Sequence, residues 1–188
     1  MLKSDATRDR ILAAARSAFA ERGFAATSLR SIAAAAGVDP ALTIHYFGSK
    51  ANLFVAAVEP PVDPVALFAS VPTDPEGAGT RLAATFLTAL DNDHVREALL
   101  GVLRTAVTDE ATTEVLRAMV TERVVAPAVE ALGVDHPDLR ATLVGSQLIG
   151  LVVARHVLRV EPLASAPVDT LVAAIGPTLQ RYLTGDLL

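Results

Sequence analysis

The chain has 188 residues, 52% of them apolar, no cysteine, and 16 Lys+Arg against 21 Asp+Glu for a formal net charge of −5. The lack of cysteine excludes disulfide staples, thiolate metal sites and Cys nucleophiles, and an isoelectric point near 5.3 argues at first against a nucleic-acid partner. That total conceals a split: residues 1–55 hold seven bases and four acids, for +3, whereas residues 56–188 hold nine bases and seventeen acids, for −8. The opening Met1-Leu2-Lys3-Ser4-Asp5 is polar, unlike a signal peptide. The longest apolar-rich stretch, residues 148–154, stops at Arg155 and His156 and is far too short to span a bilayer. A soluble, cytoplasmic chain of one large or two small domains is expected, with no membrane partner.

Alanine is abundant, alternating β-branched runs are scarce, and Gly and Pro fall between periodic blocks, which reads as all-helical. A first helix over about 5–22 places Ile11, Ala14, Ala15, Ala18 and Phe19 on one stripe, with Gly23 as its C-terminal cap and Phe24 as an apolar clasp. Thr27 is expected to cap a short second helix that turns Leu29, Ile32 and Ala33 inward and ends at Gly37. Asp39-Pro40 is an N-cap followed by Pro at the first helical position, so a third helix starts there and runs to about Tyr46; Ser49 caps a fourth. Pro60, Pro61 and Pro64 break that helix and open a loop-rich stretch. Longer helices follow at roughly 79–91, 94–108, 110–132, 137–159 and 167–184, with Pro127 and Pro177 expected to kink or interrupt two of them. Five of the eight aromatics, Phe19, Phe24, Tyr46, Phe47 and Phe54, lie within the first 54 residues, where a small helical unit needs bulky side chains to fill its core.

Residues 27–50 carry the functional signal. Two short helices joined by Ala36-Gly37-Val38, with a longer helix before them, have helix-turn-helix spacing, in which the second helix can enter a major groove. An ordinary helical hairpin would use the same turn, so the chemistry at the helix starts decides between them. Lys50 follows Ser49 in the first turn of the fourth helix, where the helix dipole disfavours a cation. A phosphate bound by the free N–H groups and the ammonium removes that conflict. Arg30, beside Thr27 and Ser28 at the start of the second helix, repeats the arrangement, and the two helix starts together form a phosphate clamp.

The rest of the chain offers little chemistry. His94, His136 and His156 lack metal-ligand spacing, no Gly-rich phosphate loop is present, and nothing like a nucleophile elbow surrounds Ser146; no metal, cofactor or catalysis is expected. The helix at 137–159 is different in kind. Leu143, Val144, Leu148, Leu151 and Val152 form one apolar face, and Gly145, Ile149 and Val153 extend it around the other side. A helix apolar nearly all round is buried on two sides, here by its own core and by a partner that Gly145, Ser146 and Gly150 allow to approach closely. The last helix shows Val168, Leu171, Val172, Ile175, Leu179 and Tyr182 in similar breadth. The alternative is that both are internal helices of a monomer.

The run TRDRILAAARSAFAERGFAATSLRSIAAAAGVDPALTIHYFGSKANLF, residues 7–54, resembles the N-terminal domain of the TetR family of bacterial transcriptional regulators, with ILAAA, RGF, IAAAAGV, HYFGSK and LF in the family's spacing. SQLIGLVVARHVLRVEPLAS and PTLQRYLTG are similar to a branch common in actinobacteria. The resemblance implies an all-α fold, with a three-helix DNA-binding domain over residues 1–50 and a helical effector-binding and dimerisation domain over 51–188. By position it makes the third helix the recognition helix, with Pro40, Ala41, Leu42, Ile44 and His45 meeting bases and phosphates. Thr27, Ser28, Arg30, Tyr46 and Lys50 fall at backbone-contacting positions. Two departures matter: the family usually carries a small hydroxyl residue at position 42 and often Tyr at 44, whereas both are apolar here. Facing the groove, Leu42 and Ile44 can touch thymine methyls but donate no hydrogen bond; the alternative is core packing with Thr43 turned outward. Asn52 also replaces the Glu common at the third helical position, which weakens the fourth helix's capping box.

The resemblance further places a dimer interface on the helices at 137–159 and 167–184, drawing on Gly145, Ile149, Val153, Val168, Val172, Ile175 and Leu179. It implies an effector cavity among the preceding helices, with Phe68 and Phe86 as aromatic walls and Arg104, Gln147, Arg155 and His156 as polar groups. The expected protein is a homodimeric repressor of a pseudo-palindromic operator, released by a small apolar effector through a shift between two dimer states. The rival readings are an activator or ligand-independent regulator of the same fold, and a helical small-molecule carrier that never meets DNA.

Overall fold

The computed structural model describes residues 3–58, 74–118 and 125–187, and its regular elements are all helices. In chain order they are α1 (Lys3–Ala26), α2 (Leu29–Ala36), α3 (Pro40–Phe47), α4 (Lys50–Val58), α5 (Ala78–Asp91), α6 (Asp93–Ala106), α7 (Glu110–Ala118), α8 (Val125–Glu130), α9 (Pro137–Val152) and α10 (Val168–Thr184). A π-helical turn, Val153–Val157, follows α9 directly. The expected helix at 110–132 corresponds to α7 and α8, and residues 119–124 between them lie outside the described residues, as does the stretch holding Pro60, Pro61 and Pro64. Among the described residues no helix is long and apolar enough to cross a membrane.

The chain divides into two compact units, residues 1–59 with 101–116 and residues 60–100 with 117–188. In the first, the apolar stripe of α1 meets Ile32 of α2, Phe47 of α3 and Leu53 and Phe54 of α4. Helical geometry in α1 breaks at Gly23, whose φ of 74° is open to a residue without Cβ. The chain then redirects so that Phe24 stacks on Phe19 at 5.9 Å and meets Phe54 edge-on at 5.0 Å. These rings occupy the centre of a small core, as the clustering of aromatics near the N-terminus suggested.

In the second unit Leu82, Val129, Val144, Leu148, Leu179 and Leu183 form the main cluster. Its closest helix crossing is α5 on α10. A Cβ built on Gly79 would lie 2.2 Å from the Gln180 nitrogen and 2.4 Å from the Gly176 carbonyl oxygen, so the two backbones touch where both helices carry glycine. The Gly79 N–H, which α5 leaves free in its first turn, donates to Gln180 Oε1 at 2.9 Å. Of the kink or break expected at Pro177, no break forms: helix α10 runs through it from Val168 to Thr184. Its C-terminal carbonyls are met by a buried arginine: Arg140 donates to Tyr182 O and Gly185 O, each at 2.9 Å, and pairs with Asp135. That hydrogen bond holds the Asp135 carboxyl below its usual range. The α-helical ladder of α9 ends at Val152, and helical winding continues through the π turn to Val157, close to the expected end at 159. Leu158 and Val160 donate back to Val153 O and Ala154 O, and Arg155 ties down the following loop through Leu163 O and Ala166 O.

Two substitutions test this packing. Gly79→Ala forces α5 off α10 and should destabilise the fold by about 3 kcal/mol, read as a lower urea midpoint. Thr43 is wholly buried and its hydroxyl has no hydrogen-bond partner. Thr43→Val removes that orphan and should stabilise the protein by about 1 kcal/mol, seen as a higher melting temperature.

Candidate nucleic-acid interface

The turn between α2 and α3 is built by local chemistry. Gly37 adopts a left-handed conformation (φ 64°, ψ 40°), and its N–H together with that of Val38 returns to the carbonyls of Ala33 and Ala34. Asp39 then caps α3 by accepting from the Ala41 N–H at 2.8 Å, and Pro40 supplies the preset φ of the first helical position. The start of α2 differs from expectation. Its cap is Ser28, whose Oγ accepts from the Ser31 N–H at 3.1 Å while Ser31 Oγ accepts from the Ser28 N–H. Thr27 is 2% exposed, and its hydroxyl donates to the Ala18 and Gly23 carbonyls. Thr27 is therefore corrected from a helix cap and phosphate contact to a pin that holds the α2 start against α1.

Helix α3 anchors itself through Thr43 and Phe47, both buried. Leu42 and Ile44 are 38% and 54% exposed. Core packing of these two with Thr43 turned outward is overturned, because the helical period that buries residues 43 and 47 turns their neighbours away. Pro40, Ala41 and His45 are exposed as well, and Tyr46 is half-buried with its ring 5.4 Å from that of His45.

Around this helix the bases divide into two groups. Arg30 is exposed in the first turn of α2, beside the Ser28 hydroxyl, which accepts the capping bond and keeps its own hydrogen to donate. Ser49 caps α4 through the Asn52 N–H at 3.0 Å, while the Ser49 N–H turns to Phe47 O. The cap is thus one-sided, as replacement of Glu by Asn at 52 implies. Lys50 lies over the Phe24 ring, 4.2 Å from its centroid, with Nζ 3.5 Å from Ala25 O. Its ammonium is held at the end of α1 by a quadrupole and a carbonyl dipole, within the surface that α2 and α4 begin. Sequence reasoning missed two further bases. Arg16 donates to Ala57 O at 3.0 Å at the end of α4, and Arg8 sits 5.5 Å from the Phe47 ring centroid. Their helical spacing on α1 was the available signal.

In the second unit the expected partner-facing residues separate. Ile149, Val153, Val168, Val172 and Ile175 are half-buried, but Leu179 is fully buried in the chain's own core and Gly145 is buried within α9. Those two are corrected to internal packing positions. The residues of α9 left open are Asp138, Leu139, Thr142, Ser146 and Gly150, and a Cβ on Gly150 would meet nothing within 4 Å. On α10 they include Ala173, Ala174 and Pro177, whose small size at one-turn spacing was legible in the sequence but outweighed there by the larger aliphatics. Val157, Leu158 and Val160, just past α9, are 47%, 67% and 49% exposed.

The residues expected to line an effector cavity fall in both units. Phe86, Gln147, Arg155 and His156 belong to the second unit and Arg104, which is exposed, to the first; Phe68 lies outside the described residues. Phe86 packs against the main cluster of its unit. Arg155 clamps a loop through Nη1, which donates to the Leu163 and Ala166 carbonyls. His156 keeps a buried Nε2 without a partner, and its pKa is pushed down first by burial and then by Arg155 and Arg96, which leaves the ring uncharged at neutral pH.

Residues 11–57 match the bacterial regulatory proteins of the tetR family, and residues 76–183 match the tetracyclin repressor-like C-terminal domain. Among solved structures, a TetR-family regulator from Streptomyces coelicolor is 35% identical, with 97% of each chain covered and a TM-score of 0.73. The multidrug binding protein EbrR, complexed with imidazole, is 25% identical over 96% of this chain and 92% of its own, with a TM-score of 0.63. NalD of Pseudomonas aeruginosa, the secondary repressor of the MexAB-OprM multidrug efflux pump, shares the fold at 24% identity, 98% coverage of both chains and a TM-score of 0.61. No curated protein matches significantly. With both halves matched in order around a formed helix-turn-helix, the chain belongs to the TetR family of bacterial transcriptional regulators, and it is a regulator and not an enzyme.

Proposed function

We propose that this regulator is a homodimeric, ligand-responsive repressor of a pseudo-palindromic operator, with DNA binding in residues 1–50 and effector binding and dimerisation in 51–188. The observation that carries the DNA-binding reading is the outward face of α3. Pro40, Ala41, Leu42, Ile44 and His45 are all exposed on a capped, anchored helix, and the bases Arg30 and Lys50 stand at the starts of α2 and α4. Ser28, Arg30, Lys50 and Tyr46 hold the phosphates, while the α3 residues meet the groove. A second copy of the chain covers Ile149, Gly150 and Val153 of the α9 face together with Val168, Val172, Ile175 and the Ala173–Ala174–Pro177 strip of α10. The exposed apolar side chains of Val157, Leu158 and Val160 support a covered surface here, since Leu158 and Val160 are held by backbone hydrogen bonds and none of the three belongs to the chain's own core.

The effector is a small, largely apolar molecule bound in the second unit. EbrR, which holds imidazole in its structure, supports a small ring compound as the class. The uncharged Nε2 of His156 and the Gln147 amide are the polar groups offered to it. Binding tighter to one dimer state than to the other releases the operator.

In vitro selection from random duplexes tests the reading directly: a two-fold symmetric consensus with strongly salt-sensitive affinity is expected, and recovery of no specific duplex refutes it. Arg30→Ala should weaken binding about ten-fold on every sequence and reduce the salt slope by about one ion, with an unchanged melting temperature because Arg30 is exposed. Gly150→Leu fits the isolated chain yet obstructs the partner, and should weaken dimerisation by at least about ten-fold; sedimentation equilibrium that shows an unaltered dimer would place the interface elsewhere.

A further inference from the structure

The chemistry of the α3 surface restricts what it can recognise. Successive residues turn about 100° around an α-helix. With Thr43 and Phe47 inward, Ala41 and His45 occupy the midline of the outward face, and Leu42 and Ile44 flank it on opposite sides. Three of these four side chains are aliphatic. Only His45, on the midline, and the half-buried Tyr46 at the edge carry a hydrogen-bonding group.

Base edges in the major groove present hydrogen-bond donors and acceptors at every pair, and one apolar group, the C5 methyl of thymine. An aliphatic side chain against a donor or acceptor leaves it dehydrated and unpaired, which is costly. Against a thymine methyl the same side chain buries apolar area on both surfaces. Leu42 and Ile44 stand on a helix bordered by bases at the starts of α2 and α4, so phosphate attraction brings the duplex to them.

We propose that Leu42 and Ile44 recognise thymine C5 methyls on either side of the base pair read by His45, so that each half-site is selected by two methyl contacts and one central hydrogen bond. The inference rests on the DNA-binding reading above and names the chemistry that it requires of the operator. Ala41, with no side chain beyond Cβ, lets the helix backbone approach closely enough for both flanking contacts.

Deoxyuridine provides the test, because it removes the methyl and leaves every hydrogen-bonding atom of thymidine in place. Using the full-length wild-type chain and its selected duplex, each thymidine of a half-site is replaced singly. Affinity should fall about four-fold at each of two positions, from the loss of one buried methyl, with the salt slope unchanged. The penalty at one position should vanish in Leu42→Ala and at the other in Ile44→Ala. Specific binding that tolerates deoxyuridine everywhere overturns the inference while leaving the DNA-binding reading intact. Penalties that persist in both variants overturn it equally, since they assign the methyls to other side chains. Failure of the wild type to select any duplex removes the DNA-binding reading itself, and the inference with it.

Discussion

Helix α3 has eight residues and two buried side chains with which to hold itself in place, Thr43 and Phe47. Four positions apart, they lie on one stripe, and a helix anchored by one stripe has no freedom in how it presents the others. The exposure of Ala41, Leu42, Ile44 and His45 follows from that anchoring. The turn before α3 completes it: left-handed Gly37 sets the path of the chain, and Asp39 and Pro40 start the helix at a defined residue, so its rotation is specified at both ends. The hydroxyl of Thr43 is an odd choice for such an anchor, because it is buried without a partner. The site tolerates that cost beside the surface that α3 presents.

The second unit solves a different problem with small residues. Its helices are rich in alanine and valine, which bury little area each, so stability depends on close approach. Gly79 and Gly176 let α5 and α10 meet backbone to backbone, and the Gln180 side chain ties the start of α5 to α10. Arg140 closes the C-terminal end of α10 by satisfying carbonyls that the helix itself leaves open. The same economy leaves the outer faces of α9 and α10 smooth: Ser146, Gly150, Ala173, Ala174 and Pro177 project little. Smooth helical faces favour close packing by a second surface.

Charge in the first unit serves two purposes at once. Arg8 and Lys50 rest against aromatic rings, and Arg16 reaches a carbonyl at the end of α4. These contacts locate the cations without neutralising them, since a ring quadrupole or a carbonyl dipole carries no net charge. The positive charge carried by residues 1–55 is therefore fixed to their fold. The excess of acidic residues lies in the remainder of the chain.

The sequence by itself determined the features that depend on local physics. Helix starts and stops at Gly23, Gly37, Asp39-Pro40 and Ser49 were legible because capping and φ preference act within a few residues. The helix-turn-helix spacing and the aromatic core of the first unit followed from them, and the family from the resemblance carried by residues 7–54. Tertiary structure alone decided what depends on rotation and on distant partners. Whether Leu42 and Ile44 or Thr43 faces inward is a matter of which stripe finds the core, and the mixed apolar pattern of α3 allowed either. Thr27 was read as a cap because a hydroxyl before a helix usually caps it, yet carbonyls of α1 claimed it and Ser28 took the role. Leu179 was misassigned for the same reason: the core that buries it is formed by residues remote in sequence, which no local pattern encodes.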